Sequence, residues 1–111
     1  MTHALDPEDQ KIITLARSAR ARNGSAEGAA VRDETGRTYA ATGVALPSLQ
    51  LTALQVAVAM AVSGGASSLE AAAIVGDADD PDEKDLAVVE DMGNGTLFLA
   101  APDGTVKGRY I

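Results

Sequence analysis

At 111 residues, with 46% hydrophobic and 23% charged side chains, the chain has the size and make-up of one globular domain spanning residues 1–111, which excludes a disordered, fibrous or multi-domain protein. The absence of cysteine and the presence of one histidine, His3, exclude disulfide scaffolds, thiolate nucleophiles, thiolate zinc sites and a serine triad. A formal net charge of −7 argues against nucleic acid as a partner, because phosphate binding depends on Lys and Arg displacing counterions.

Phe98, Tyr39 and Tyr110 are the only aromatics, so small aliphatic side chains must fill the core, and that suits helices packed closely on a sheet. The first ten residues are acidic and lack the basic start and apolar run of an export signal, so a cytoplasmic protein is expected. Asp6, Pro7, Glu8 and Asp9 form a helix start: a cap, a proline in the first turn, and acids at the positive end of the dipole. Ile12, Leu15, Ala16 and Ala19 recur at helical spacing until Asn23-Gly24, predicting a first helix over residues 7–22. Lys11, Arg17, Arg20 and Arg22 read as its solvated face.

Two apolar runs, 28–32 and 37–45, flank the turn sequence Asp33-Glu34-Thr35-Gly36 and predict a hairpin. Pro47-Ser48 is expected to open a second helix, whose stretch 53–62 is apolar at every position except Gln55 before Ser63-Gly64-Gly65 stops it. A helix apolar on all sides should be covered on all sides, by the sheet and by something else such as another subunit. The stretch 44–62 is long enough to span a bilayer, but Pro47, Ser48, Gln50, Thr52 and Gln55 interrupt it and no basic flank anchors it, so no membrane association is expected.

Residues 70–75 read as a central strand covered on both faces. The acidic stretch 76–85 follows; it lacks the glycine and the terminal glutamate of a calcium loop, and it leads into a third helix over 82–92. Gly93-Asn94-Gly95 breaks that helix. Residues 96–101 and 105–111 are strands, and Pro102-Asp103-Gly104 between them is too tight for anything but an antiparallel reversal. The predicted order is α-β-β-α-β-α-β-β, an α/β protein.

That order, together with Gly28-Ala29-Ala30-Val31, Thr35-Gly36-Arg37-Thr38-Tyr39, Ala61-Val62-Ser63-Gly64-Gly65 and Ala101-Pro102-Asp103-Gly104-Thr105, resembles the small cytidine deaminases over nearly the whole chain. The resemblance implies a three-layer α-β-α fold with a five-stranded mixed sheet whose last two strands are antiparallel. It also implies a zinc held by three cysteines and a glutamate that moves the proton. Here the first cysteine position of the resemblance is Thr52, the other two are Asp82 and Asp85, and the glutamate is Leu54. The ribose-binding Asn-x-Glu corresponds to Gly43 and Ala45, and the segment that closes over the pyrimidine is shortened to Asn23-Gly24-Ser25-Ala26-Glu27.

The sequence therefore predicts no catalytic residue, no zinc or other metal, and no cofactor. Asp82 and Asp85 are read as helix caps and dipole partners rather than as oxygen ligands of magnesium or calcium. The expected function is a non-catalytic cytidine-deaminase-like protein, a pseudoenzyme of nucleoside metabolism, acting as a homodimer or homotetramer through its buried-helix region, with a protein as a further partner. The alternative is a residual nucleoside-binding protein, or a divergent pyrimidine nucleoside deaminase or hydrolase, using a degenerate cleft lined by Gly43, Ala45, Thr52, Leu54, Asp82 and Asp85.

Overall fold

The computed structural model describes residues 5–93 and 95–110; the readings that concern His3 and Asn94 fall outside them. The first helix, α1 (Pro7–Asn23), starts where its signals place it. Asp6 accepts a hydrogen bond from the Glu8 N–H at 2.8 Å, and Pro7 occupies the first turn, where no N–H is needed. Gly24 ends it at φ 59°, the left-handed conformation that glycine adopts without strain.

Strands β1 (Glu27–Asp33) and β2 (Thr38–Thr42) form the expected antiparallel hairpin. Its turn is organised by Asp33, whose Oδ1 accepts from the N–H groups of Thr35 and Arg37 and from the Thr35 hydroxyl. The expectation that Pro47-Ser48 opens a helix is wrong. These two residues are the turn of a small second hairpin, β3 (Val44–Leu46) and β4 (Leu49–Leu51). The physical reason is twofold: a proline pushes the residue before it toward extended backbone, and Thr52 offers a far better helix start than Ser48. Thr52 forms a capping box with Gln55, and α2 (Ala53–Ser63) begins behind it.

The rest of the chain supplies β5 (Leu69–Gly76), α3 (Glu83–Asp91), β6 (Thr96–Ala100) and β7 (Val106–Tyr110). The main sheet has the order β2-β1-β5-β6-β7. β5 and β6 are parallel, with α3 in the crossover, and every other neighbouring pair is antiparallel, the last two strands included. β5 is central and buried on both faces, as its uninterrupted apolar run predicts.

Alternation along the strands splits the core in two. Ala30, Ala73, Val75 and Phe98 face Ile12, Ile13 and Ala16 of α1. Val31, Ile74, Leu97 and Leu99 face Leu54, Ala57 and Ala61 of α2, with Val89 of α3 beside them. The result is a three-layer α-β-α fold. Gly28 shows how tightly α1 lies on β1: a Cβ there would sit 2.1 Å from the Ala16 carbonyl oxygen. No helix among the described residues is long and apolar enough to cross a membrane.

Candidate functional site

The N-termini of α2 and α3 meet, and a single hydroxyl joins them. Thr52 caps α2: its Oγ1 accepts from the Gln55 N–H at 3.1 Å, while Gln55 Oε1 accepts from the Thr52 N–H at 2.9 Å. The same hydroxyl donates its own proton to Asp85 Oδ1 at 2.6 Å, a length typical of a hydroxyl bonded to a carboxylate. Asp85 stands in the first turn of α3 and is 1% exposed. Asp82, the cap of α3, is exposed and accepts from the Lys84 N–H at 2.8 Å.

Beside this junction lies an open cleft of about 320 Å³, lined by Ser25, Ala26, Glu27, Gly43, Val44, Ala45, Leu51, Thr52 and Ala53. Gly43, Ala45 and Thr52 are thus brought together as the sequence predicts. The other three predicted cleft residues are not in the lining. Leu54 is fully buried in the core between α2 and the sheet, because the turn of the helix after Thr52 points it inward. Asp85 is held behind the wall by Thr52, and Asp82 stays with its own helix end.

Glu27, which the sequence places only in the shortened segment 23–27 and not among the cleft candidates, is the ionisable residue of the lining; an acid opening the small apolar strand 28–32 was its visible signal. Its pKa is raised, first by burial and then by the negative charges of Asp85 and Asp82. Asp85 is raised too: burial is the main cause and Asp82 adds to it, against the opposing effects of the Thr52 hydrogen bond and of Lys84. The two carboxyls therefore share a region of negative potential with little compensating cation.

These residues do not fit zinc. The Thr52 hydroxyl is neutral and already engaged with Asp85 and the Gln55 N–H, Asp82 is turned to the Lys84 N–H, and Leu54 offers no group to carry a proton. Among the described residues no three His, Cys, Asp or Glu side chains converge as a metal site. The oxygens of Thr52, Asp82 and Asp85 are instead engaged in the hydrogen bonds that cap α2 and α3 and join them.

The outer side of α2 forms a second feature, an open apolar groove of about 520 Å³ lined by Tyr39, Leu51, Val56, Ala59, Met60, Ser63 and Gly64. Met60 is 44% exposed and Val62 48%, so the helix expected to be covered on all sides is uncovered on this one in a single chain. The basic residues of α1 turn out to be partly structural: Arg17 Nε donates to the Pro102 carbonyl at 3.0 Å and Arg20 Nε to the Ala26 carbonyl at 3.1 Å, next to the cleft wall.

The chain matches the family described as cytidine deaminase-like over residues 5–104. Among solved structures it is similar to cytidine deaminase from Burkholderia pseudomallei, with a TM-score of 0.75 at 23% identity, covering 96% of this chain and 90% of that one. It is also similar to cytidine deaminase from Mycobacterium leprae, with a TM-score of 0.70 at 21% identity over 92% of this chain and 95% of that one. A mutant cytidine deaminase from Mycobacterium tuberculosis matches with a TM-score of 0.67 at 24% identity, over 86% and 85% of the two chains. At these identities the structural likeness is one of fold. No curated protein matches the sequence significantly.

Proposed function

The chain belongs to the cytidine deaminase-like family, and from that membership we propose that it is a non-catalytic member acting as an oligomeric binding or regulatory module. One observation carries the reading. Thr52 and Asp85, which stand at two of the metal-ligand positions implied by the resemblance, are bonded directly to each other at 2.6 Å. Leu54, at the position of the proton-carrying glutamate, is packed in the core. A deaminase needs an activated water and a group to move its proton; this pairing supplies neither.

The module reading draws its support from the outer face of α2. Val56, Ala59, Met60 and Val62 leave an uncharged, largely apolar surface on a chain of net charge −7, and apolar area of this kind is stabilised by burial against a partner. A second copy of the chain presents the same uncharged patch, so two strongly acidic molecules can meet there with the least repulsion.

Metal analysis of the purified protein, run beside an assay for conversion of cytidine to uridine, tests the first part. Neither zinc nor uridine is expected, and either stoichiometric zinc or turnover overturns the reading. Sedimentation analysis tests the second part, where a dimer or tetramer is expected and a strict monomer counts against the module.

The open cleft of about 320 Å³ favours one alternative, a nucleoside-binding protein or divergent pyrimidine nucleoside deaminase or hydrolase that uses this cleft. A thermal-shift screen with cytidine, uridine and their phosphates separates the two readings. A ligand present at a hundred times its dissociation constant stabilises the fold by about 2.7 kcal/mol.

A further inference from the structure

β7 contains a bulge whose extra residue is a lysine. Val106 pairs with Ala100 and Gly108 with Leu99, so Lys107 has no partner of its own on β6. A bulge re-aims a side chain out of the regular alternation of a strand. Here it sends the ammonium group across the end of β6 to the loop between β5 and α3. Lys107 Nζ donates to the Gly76 carbonyl at 3.2 Å and to the Ala78 carbonyl, and it lies 3.9 Å from the Asp79 carboxylate.

This loop is the most acidic part of the chain. Asp77, Asp79, Asp80, Asp82, Glu83 and Asp85 fall within nine consecutive residues, and residues 77–80 are exposed. Among the described residues, no other Lys or Arg side chain forms an ion pair with the stretch. Mutual repulsion favours an expanded loop, and the ammonium group opposes it with charge-assisted hydrogen bonds to two carbonyls. The loop runs straight into Asp82, the cap of α3, and one turn later Asp85 meets Thr52 at the cleft.

We propose that Lys107 is a positioning residue: its ammonium group latches the β5–α3 loop and thereby sets the N-terminus of α3 against that of α2 beside the cleft. Lys107 hydrogen-bonds none of the residues that line the cleft, although its partner Gly76 pairs with Glu27 of the lining. The latch operates whether the cleft binds a nucleoside or nothing at all.

Amide hydrogen exchange and backbone amide chemical shifts on the full chain test it, comparing wild type with Lys107→Met and Lys107→Arg. Loss of bonds from a charged donor should accelerate exchange in residues 78–86 by roughly tenfold or more, while amides of β1 and β5 keep their protection. Because α3 is repositioned, the amide shifts of Thr52 and Gln55 should move as well. A purely local contact would leave those two unchanged. Lys107→Arg, which keeps the charge, should restore most of the protection.

The proposal is overturned if Lys107→Met leaves residues 78–86 as protected as wild type. It is equally overturned if exchange rises uniformly across the sheet, or if Thr52 and Gln55 do not respond. Should Lys107→Met fail to fold, Lys107→Gln carries the same test, since it keeps a polar hydrogen-bonding side chain and removes the charge. Faster exchange confined to residues 78–86 supports the latch, and exchange there at the wild-type rate overturns it.

Discussion

The two helices that sandwich the sheet solve the same packing problem with opposite outer faces. α1 presses Ile12, Ile13, Ala16 and Ala19 onto the sheet and turns Glu8, Lys11, Arg17 and Arg22 to water. α2 presses Ala53, Leu54, Ala57, Val58 and Ala61 onto the other face, yet its remaining positions are Gln55, Val56, Ala59, Met60, Val62 and Ser63, without a single charge. A helix needs only one apolar stripe to stay on a sheet. Ala59, Met60 and Val62 of α2 are exposed in the single chain, a second apolar stripe that the sheet does not need and that supports the partner surface proposed above. α1 is a scaffold helix, whereas α2 carries a surface on one side and, at its N-terminus, the junction with α3.

Substitutions along α2 can break this contrast, and the inner stripe should respond most. Leu54→Ala should lower stability by about 3 kcal/mol in a chemical unfolding titration, because it leaves a cavity at a fully buried site. Thr52→Val should cost about 2 kcal/mol, since it removes both the helix cap and the partner of the buried Asp85. On the outer stripe, Met60→Lys should leave the unfolding midpoint of the monomer within about 0.5 kcal/mol of wild type while shifting the sedimentation profile toward monomer. If Met60→Lys unfolds the protein and leaves its assembly alone, the two stripes do not have separate roles.

The smallest effect concerns charge in the cleft. Glu27 has a raised pKa in the folded state, so its ionised form opposes folding at pH values above that folded pKa. The penalty fades as pH falls through the folded pKa toward and below the ordinary glutamate value of about 4.3. Glu27→Gln should therefore stabilise the protein at neutral pH by less than about 1 kcal/mol, given its partial exposure. The gain should vanish in thermal melts near or below that ordinary value. A gain that grows on acidification would contradict the assignment of Glu27 to a region of uncompensated negative charge.

Much of this was legible in the residues. Asp6-Pro7 and Asn23-Gly24 marked both ends of α1, and Pro102-Asp103-Gly104 forced the last two strands antiparallel, because each of these signals is local chemistry acting on its own backbone. Gly43, Ala45 and Thr52, which the resemblance put together, line one cleft in the structure. The error at Pro47-Ser48 shows where local signals compete: both a proline turn and a helix start were available, and the capping box at Thr52 with Gln55 decided the matter four residues further on. Glu27 was placed in the shortened segment 23–27 but not in the cleft, because an acid at the first position of a strand is unremarkable until the neighbouring elements are in place.

The sequence by itself determined the three helices and the five strands of the main sheet, since these depend on periodicity and turn chemistry, while the layer order and the positions of interest at Thr52, Leu54, Asp82 and Asp85 came from the family resemblance. The resemblance placed Thr52, Asp82, Asp85 and Leu54 in one list. Tertiary structure divided that list: a helical turn buried Leu54, the Lys84 N–H kept Asp82 at its own cap, and Asp85 bonded to Thr52 across 33 positions of sequence. Pairing of that kind depends on how two helix ends meet over a twisted sheet, and no local pattern encodes it. The same holds for Lys107, whose strand position is ordinary in the sequence and whose reach to Gly76 and Ala78 exists only because a bulge turns it toward them.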